Sequence, residues 1–199
     1  MIIIGITGSI GMGKTTTARM FKDAGCPVFD ADKAVHDLYK KGGEAVPIIR
    51  AVFPEAIKNG AIDRGILGGY MRKDPIHLQV LESFIHPLVG DKRSRFFEDN
   101  QSADIVVLDI PLLFETSLDE SVDHIVVVTA PTKIQRERVM SRAGMTEELF
   151  TALLSKQMPD ALKRKSADTL IFTDKGLENA REQVHSLLNK LRDKARDER

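Results

Sequence analysis

The sequence predicts an α/β fold in which a parallel sheet of five strands is covered by helices on both faces. Short apolar segments alternate with helical ones along the chain, which is the pattern of βαβ units. The first, Ile2–Thr7, is a continuous β-branched run, as expected of a strand buried on both faces. A glycine-rich turn follows it directly. The predicted strands are 2–7, 27–29, 105–109, 125–129 and 169–173.

Helical patterns fill the intervals between these strands in the first half of the chain. A first helix ends at Gly25, and a second runs from Lys33 to Lys41. Residues 44–100 have a mainly helical pattern, in which Asp63 is the candidate N-cap of a helix that reaches about Lys73. The next helix begins at Asp74-Pro75, where proline is tolerated.

The later helices include one with an internal proline and a segment that is rich in basic residues. Pro87 lies in the apolar stripe of the helix that begins at Asp74-Pro75, and we expect it to break or kink that helix because it removes an intrahelical hydrogen bond. Residues 131–165 are helical and basic, and an amphipathic helix from Leu177 closes the pattern.

The composition is that of one globular domain with room for a small insertion. The chain has 199 residues, of which 42% are hydrophobic and 29% charged. Lys and Arg number 29 and Asp and Glu 29, so the zero net charge argues against a nucleic-acid binder that works through bulk positive charge. The charge is uneven, however. Residues 96–130 carry eight acidic side chains and no Lys or Arg, whereas residues 131–165 carry an excess of four positive charges.

Cysteine content and hydropathy predict a cytoplasmic protein without membrane contact. Cys26 is the only cysteine, which excludes an intramolecular disulfide. The N-terminus lacks the pattern of a signal peptide. The longest aliphatic runs have about four residues, compared with the ~20 that a membrane-spanning helix requires.

A phosphate-binding loop follows the first strand. Residues Gly8–Thr15 satisfy G-x-x-x-x-G-K-[ST] between a strand and a helix. The glycines let successive N–H groups wrap a phosphate, Lys14 can reach the β- and γ-phosphates, and the Thr15 hydroxyl can ligate Mg²⁺. The alternative, a glycine-rich turn that binds nothing, is disfavoured by the strand–loop–helix context.

Acidic residues follow two predicted strands. Asp109 fits the carboxylate that phosphoryl-transfer enzymes place near the metal, and the alternative is a simple turn residue at the strand end. Asp30 and Asp32 could activate a substrate hydroxyl, or they could cap the helix that follows. The residues alone do not decide between these two roles.

The basic segment 131–165 is a candidate lid over bound phosphates. Arg138 and Arg142 are four residues apart, which predicts a shared helical face, and Ala143-Gly144 is a candidate hinge. The alternative is a solvated helix face. His86-Pro87 is more typical of a packing pair, and four other histidines show no metal spacing and are expected at the surface or at caps: His36, His77, His124 and His185.

Taken in order, these motifs resemble the dephospho-CoA kinase family over nearly the whole chain. The P-loop alone belongs to many families, but the later motifs are more specific. The matching stretches are Ile6–Thr15, Phe29-Asp30-Ala31-Asp32, Ile62-Asp63-Arg64, Ile85-His86-Pro87, Asp109–Glu115, Gln135, Arg138, Arg142, Gln157 and Ala167-Asp168.

The resemblance implies ATP-dependent phosphorylation of the ribose 3′-hydroxyl of dephospho-CoA, the last step of coenzyme A synthesis. It implies that Asp32 is the general base, that Lys14 and Arg142 stabilise the transferring group, and that Thr15 and Asp109 hold Mg²⁺. The implied ATP-binding residues are Gly11, Met12, Gly13, Lys14, Thr15, Thr16, Arg138 and Arg142. The residues implied to face the acceptor are Asp32, Arg64, His86, Leu112 and Glu115.

The family also implies a P-loop NTPase fold of three αβα layers with two additions. The nucleotide-binding core is expected at about 1–32, 101–141 and 166–199, a helical CoA-binding region at about 33–100 and a small helical lid at about 142–165. The expected partners are ATP and dephospho-CoA, with no nucleic acid, and the expected state is a monomer or weak homo-oligomer. Thr173 stands where the family commonly has Asn, which leaves the nucleotide preference open.

Three other readings of the motifs compete with this one. Another small P-loop kinase, acting on a nucleoside or nucleotide, would share the loop and the lid. A GTPase-like switch would need an [NT]-K-x-D motif, which the sequence does not contain. A non-catalytic nucleotide-binding module would not need Asp32, Arg142 or a lid.

Overall fold

Two units, each with its own apolar core, make up the computed structural model, which describes residues 1–197. The first unit contains Met1–Phe29 and the described residues from Ser102 onward, and the second unit contains Asp30–Gln101. The last two residues of the expected core segment 166–199 lie outside the described residues.

The sheet of the first unit has five strands in the order β2-β5-β1-β6-β7, as the α/β prediction requires. Strand β1 pairs in parallel with β5 and β6, and β6 pairs in parallel with β7. All five predicted strands are confirmed within one residue at each end. They are β1 Ile2–Thr7, β2 Val28–Asp30, β5 Ile105–Asp109, β6 His124–Thr129 and β7 Thr169–Phe172.

Helices bury one face of this sheet in a continuous core. Ile4 and Ile6 of β1 are fully buried and belong to one cluster with Phe21 of helix α1 and Val184 of helix α9. Residues that alternate with them along the strands, such as Val106, are buried as well, so β1 and β5 have the two-sided burial that their β-branched runs predict. The helices of the first unit are α1 Lys14–Asp23, α6 Thr132–Met140, α7 Glu147–Leu154, α8 Asp160–Lys165 and α9 Leu177–Asp197.

Strand β7 lies at one edge of the sheet, and a side chain of α9 covers its end. The Gln183 amide oxygen accepts from the Phe172 N–H at 3.0 Å, and its nitrogen donates to the Phe172 carbonyl at 2.9 Å. One side chain thus binds both polar groups of the last residue of the edge strand.

The second unit is mainly helical and contains one small hairpin that the sequence prediction missed. Strands β3 and β4 are antiparallel and joined through Asn59-Gly60, whose φ angles are +52° and +80°. Positive φ at both central residues is typical of a type I′ hairpin turn, for which Asn-Gly is a strong sequence signal. The elements are α2 Ala31–Tyr39, α3 Ala45–Val52, β3 Ile57–Lys58, β4 Ala61–Ile62, α4 Arg64–Lys73 and α5 Pro75–Asp99.

Helix starts in the second unit follow the capping residues, and of the two outcomes expected at Pro87, a break or a kink, the break does not occur. Asp63 accepts from the Ile66 N–H at 3.0 Å, and Asp74 accepts from the Ile76 N–H at 2.9 Å. Helix α5 then runs for 25 residues with Pro87 inside it. Leu81 and Ile85, before the proline, are buried in the core of the second unit, and this packing offsets the lost hydrogen bond.

No helix within residues 1–197 combines the length and the apolar character that crossing a bilayer requires.

Candidate active site

The phosphate loop has the backbone that its glycines predict. Gly11 and Gly13 adopt φ of +80° and +98°, a region that other residues rarely enter. A Cβ at Gly11 would lie 2.5 Å from Val139 Cγ2 and 2.9 Å from the Gln135 carbonyl oxygen. The loop therefore requires glycine at this position on two independent grounds, its backbone angle and its packing.

Met12 takes part in the loop through its backbone, while its side chain anchors the loop. The side chain is buried, and its Sδ accepts from the Ala130 N–H at 3.2 Å. Helix α1 begins at Lys14, and Thr15 and Thr16 are exposed in its first turn. The expected phosphate-binding groups Gly11–Thr16 thus lie at a helix N-terminus, where backbone N–H groups and the helix dipole favour anions.

Lys14 and Asp109, expected to share one site, are in direct contact. Lys14 Nζ lies 2.5 Å from Asp109 Oδ1, and the side chains are 14% and 6% exposed. The sheet register explains the meeting, because Asp109 pairs with Ile6 near the end of β1, and the loop leaves β1 at the same edge. A buried carboxylate beside the phosphate loop is thereby paired with an ammonium group.

These oxygens fit a magnesium ion bound mainly through phosphate. Among residues 1–197, no three His, Cys, Asp or Glu side chains cluster as a metal site would. Magnesium in kinases needs only one or two protein oxygens, because substrate phosphates and water complete its shell. The Asp109 carboxylate, which contacts Lys14, and the hydroxyl of the next residue, Thr15, could supply these two oxygens.

Arg138 and Arg142 line one cavity but do not share a helical face. Helix α6 ends at Met140, and the Arg142 N–H donates to the Val139 carbonyl in the turn that follows, so the expected helical spacing is wrong. Gly144, at φ +75°, continues the turn. The cavity has a volume of about 280 Å³ and is lined by both arginines together with loop and α9 residues, among them Gly11, Gly13, Thr16, Thr173 and Gly176.

The guanidinium of Arg138 is hydrogen-bonded to other groups of the protein, which the sequence did not predict. Its guanidinium donates to Thr173 Oγ1 at 2.8 Å and to the Thr173 carbonyl at 2.7 Å. The Thr173 hydroxyl in turn donates to the Met12 carbonyl at 2.8 Å. Thr173 thus ties Arg138 to the phosphate loop, whereas Arg142 is exposed in the same cavity wall.

Two glutamines bind the backbone N–H and C=O of Ile10 in the phosphate loop, and the sequence motifs alone assigned them no role. Gln135 Nε2 donates to the Ile10 carbonyl at 2.8 Å, and the Ile10 N–H donates to Gln157 Oε1 at 3.0 Å. Gln135 is 4% exposed, although Lys133, Arg136 and Glu137 on the same helix are exposed. The family motif contained both glutamines, and this was the signal available in the sequence.

Glu115 binds residues of the basic segment. Its Oε1 accepts from the Met158 N–H at 2.7 Å and lies 2.8 Å from the ammonium of Lys163, which is fully buried. Burial alone would raise the pKa of Glu115, but the Lys163 ammonium and the Met158 N–H together hold this pKa below its usual value. Leu112, in the same turn, is 39% exposed.

In the second unit the structure separates the roles of Asp30 and Asp32. Asp30 is the N-cap of α2, with Oδ1 accepting from the Lys33 N–H at 2.8 Å. Asp32 lies in the first turn of the same helix, is exposed, and has no hydrogen bond or ion pair within the described part of the chain. Capping therefore accounts for Asp30 and leaves Asp32 available for another function.

Two further residues expected near the acceptor are exposed in the second unit. Arg64, at the start of α4, lies with Nη2 3.2 Å from His36 Nδ1 and with its guanidinium 5.6 Å from the Tyr39 ring centroid. His86 is exposed on α5. The exposed Arg64 guanidinium can donate hydrogen bonds to an anionic ligand, such as a phosphate ester.

Of the remaining histidines, His124 differs from the surface or capping role expected for it, whereas His77 lies against a carbonyl in the last turn of α4, as a capping residue does. His77 packs against the rings of Phe53 and Tyr70, and its Nδ1 lies 3.1 Å from the Tyr70 carbonyl oxygen. His124 is half-buried, with Nε2 2.9 Å from Thr169 Oγ1, and burial lowers its pKa. His36 and His185 are exposed, as expected.

Similarity to known proteins identifies the family. The family model of dephospho-CoA kinases matches residues 2–179. The chain belongs to the dephospho-CoA kinase family. One curated relative, the dephospho-CoA kinase of Agrobacterium fabrum, is 50% identical over 193 residues, which are 96% of this chain and 98% of the relative.

Solved structures share the fold of this chain. The protein TT1252 from Thermus thermophilus has a TM-score of 0.82 at 34% identity, over 96% of this chain and 97% of that one. The dephospho-CoA kinase from Campylobacter jejuni, at 24% identity, shares the fold with a TM-score of 0.72 over 95% and 96% of the two chains. The predicted P-loop α/β fold is confirmed, and membership of this kinase family implies that ATP is the phosphoryl donor.

Proposed function

We propose that this protein transfers the γ-phosphoryl group of ATP to the ribose 3′-hydroxyl of dephospho-CoA, giving coenzyme A and ADP, the final step of CoA synthesis. The observation that carries the proposal is the phosphate loop, in which Lys14 lies 2.5 Å from Asp109, in a chain that matches the dephospho-CoA kinase family over residues 2–179. A simple phosphate-binding turn would not need a buried carboxylate beside its lysine.

On the donor side, residues of the first unit bind and polarise the phosphates. The N–H groups of Gly11–Thr16 surround the phosphates, and Lys14 and Arg142 stabilise the charge on the transferring group. Thr15 and Asp109 hold Mg²⁺, which supplies charge neutralisation to the phosphate oxygens. Lys14, which binds the phosphates, and Asp109, which would hold the metal, already lie in contact at 2.5 Å.

On the acceptor side, Asp32 takes the proton. The 3′-hydroxyl oxygen forms a bond to the γ-phosphorus, the bond from that phosphorus to the ADP oxygen breaks, and the hydroxyl proton passes to the Asp32 carboxylate. Arg64, His86 and Leu112 contact the acceptor. The family resemblance adds Glu115 to this group, although the contacts of its carboxylate favour a different role.

The same proposal assigns functions to the larger segments. Residues 33–100 form the CoA-binding region, and residues 142–165 form a lid that excludes water during transfer. The Gly144 turn, at φ +75°, gives the lid a flexible point next to Arg142. The protein works in the cytoplasm as a monomer or weak homo-oligomer.

The experiment is an ADP-release assay with purified protein, Mg²⁺ and ATP, in which the acceptor is varied. We expect ADP release to require dephospho-CoA and the product to gain one phosphoryl group at the ribose 3′-oxygen, located by ³¹P and ¹H NMR. ADP release that does not depend on dephospho-CoA would overturn the proposal.

Two further arms test the alternatives. Nucleosides and nucleotides replace dephospho-CoA, because another small P-loop kinase would use them in its place. GTP replaces ATP, because Thr173 stands where the family commonly has Asn, and its hydroxyl is engaged by Arg138 and Met12. A preference for ATP would show that the base is recognised by other groups.

A further inference from the structure

The connection from the phosphate loop to the basic segment carries an inference about Glu115. Both backbone polar groups of Ile10 in the loop are hydrogen-bonded, the carbonyl to Gln135 and the N–H to Gln157. An N–H that donates to Gln157 is not directed at a phosphate. Its hydrogen bond instead fixes the orientation of the loop, so ATP binds without first having to order it.

Gln157 is itself fixed through the residue that follows it. The Met158 N–H donates to Glu115 Oε1 at 2.7 Å, and Lys163 Nζ lies 2.8 Å from the same oxygen. Lys163 is fully buried, and within the described residues its ammonium has no directed hydrogen bond, so the charge contact with Glu115 is what offsets its burial. Glu115 therefore contacts Met158, near the start of the segment 157–163, and Lys163, at its end.

A third contact attaches this segment to the sheet. The hydroxyl of Thr129, the last residue of β6, donates to the Asp160 carboxylate at 3.0 Å. Residues 157–163 are thus bound to the first unit at the loop, at the turn after β5 and at the end of β6. These contacts fix residues 157–163 of the proposed lid 142–165, so the motion of the lid is expected at residues 142–156.

We propose that Glu115 is a positioning residue for the phosphate loop, acting through Met158 and Gln157 on the Ile10 peptide, and that it is not an acceptor contact. This rests on the proposed function only in that the loop binds ATP. Lys163 holds the Glu115 carboxylate in place and keeps it charged. The route is short, since a single carboxylate oxygen, the Met158 N–H and the Gln157 amide separate Glu115 from the loop.

The test compares two double variants that differ in a single hydrogen-bond acceptor. Both carry Lys163→Met, which removes the buried charge. In E115Q/K163M the new amide oxygen still accepts from the Met158 N–H, whereas in E115A/K163M nothing replaces it. We expect E115A/K163M to raise the Kd for ATP by about three- to ten-fold relative to E115Q/K163M, as the loss of one hydrogen bond predicts.

ATP binding is measured by calorimetry without acceptor, so failure of the kinase assay and failure of this inference are separate results. In steady-state kinetics we expect the KM for ATP to rise while the KM for dephospho-CoA stays within about two-fold. Equal ATP affinity in the two double variants, or a rise confined to the KM for dephospho-CoA, would overturn the proposal.

Two additional measurements test the route itself. Gln157→Leu should weaken ATP binding to a similar extent, and adding it to E115A/K163M should cause little further loss, because both changes break one connection. If the losses of ATP affinity from the two changes multiplied in the combined variant, the proposed route would be contradicted. If E115A/K163M does not fold, amide hydrogen exchange of the wild type decides, since the Ile10 and Met158 amides should be protected and open together. Independent opening would overturn the proposal.

Discussion

The donor-side and acceptor-side residues are held in opposite ways. In the first unit Lys14 contacts Asp109, the Ile10 peptide lies between two glutamines, and Arg138 is fixed by Thr173. In the second unit Asp32, Arg64 and His86 are exposed, and of these only Arg64 has a polar partner within the described residues. The nucleotide side is therefore ordered before ligand binds, whereas the acceptor side consists of side chains that a ligand has to engage. Acceptor-side mutations should therefore lower activity without lowering stability, whereas donor-side mutations should lower both.

The largest effect is expected on the acceptor side. Asp32→Asn removes the proposed base, and we expect kcat to fall by about 10²- to 10⁴-fold. Because Asp32 is exposed and has no polar partner within the described residues, the free energy of unfolding and the Kd for ATP should not change. Steady-state kinetics, thermal unfolding and ATP titration measure the three quantities.

Asp30 supplies the matched control two residues away. Asp30→Ala removes the N-cap of α2, and we expect it to lower the free energy of unfolding by about 0.5–2 kcal/mol. Asp30→Asn keeps an oxygen that can cap and should restore most of this loss. If Asp32→Asn instead lowered the stability and left kcat intact, Asp32 would be a structural residue and the contrast between the two sides would fail.

On the donor side, stability and activity should fall together. Lys14→Met removes the charge that stabilises the transferring group, and we expect kcat to fall by about 10²- to 10³-fold. It also removes the ammonium that neutralises the Asp109 carboxylate, which is 6% exposed, so the melting temperature should fall as well. Differential scanning calorimetry and kinetics on one preparation measure both. Unchanged stability would mean that the ion pair contributes nothing to folding.

The smallest predicted effect concerns His124, a half-buried histidine of the first unit that lies outside the phosphate loop. Burial lowers the pKa of His124 below its usual value of 6.5. The unfolded chain therefore binds a proton first as the pH falls, so the stability contribution is complete above pH 6.5 and is lost as the pH falls toward the folded-state pKa. We expect the melting temperature to fall between about pH 7 and pH 5, above the range in which carboxylates titrate.

His124→Gln is the matched variant for this pH dependence. A glutamine side chain keeps a polar partner for the Thr169 hydroxyl but does not titrate. Its melting temperature should fall less over the same interval. An identical slope in both proteins would assign the pH dependence to other groups.

The sequence predicted those parts of the molecule that depend on backbone geometry. The strand, the glycine-rich loop and the helix of the phosphate site follow from φ restrictions and burial, and these act within about twenty residues. Asp109 was predicted from its position at a strand end, because parallel strands bring their carboxyl ends to one edge. Asn59-Gly60 carried an equally local signal, and the hairpin there was missed although the turn chemistry was present in the sequence.

The predictions that differ from the structure, and the contacts that were missed, concern features that tertiary packing determines. Pro87 lies inside an unbroken helix because the apolar residues of that helix are packed in the second core. Arg138 and Arg142 do not share a helical face because the chain turns after Met140. The partners of Glu115 and Gln157 lie about 40 and 150 residues away along the chain, and no local pattern specifies such a pairing.

The Gln183 side chain on the edge strand has a consequence for concentrated protein. An uncovered strand edge presents N–H and C=O groups that a second molecule can extend into a shared sheet. Gln183 already fills both hydrogen bonds of Phe172, a residue that is 39% exposed and apolar, at the end of β7. A neighbouring chain therefore gains no backbone hydrogen bonds at this residue. The Gln183 amide thus opposes the addition of a strand from a second molecule at a point where the exposed ring of Phe172 would favour association.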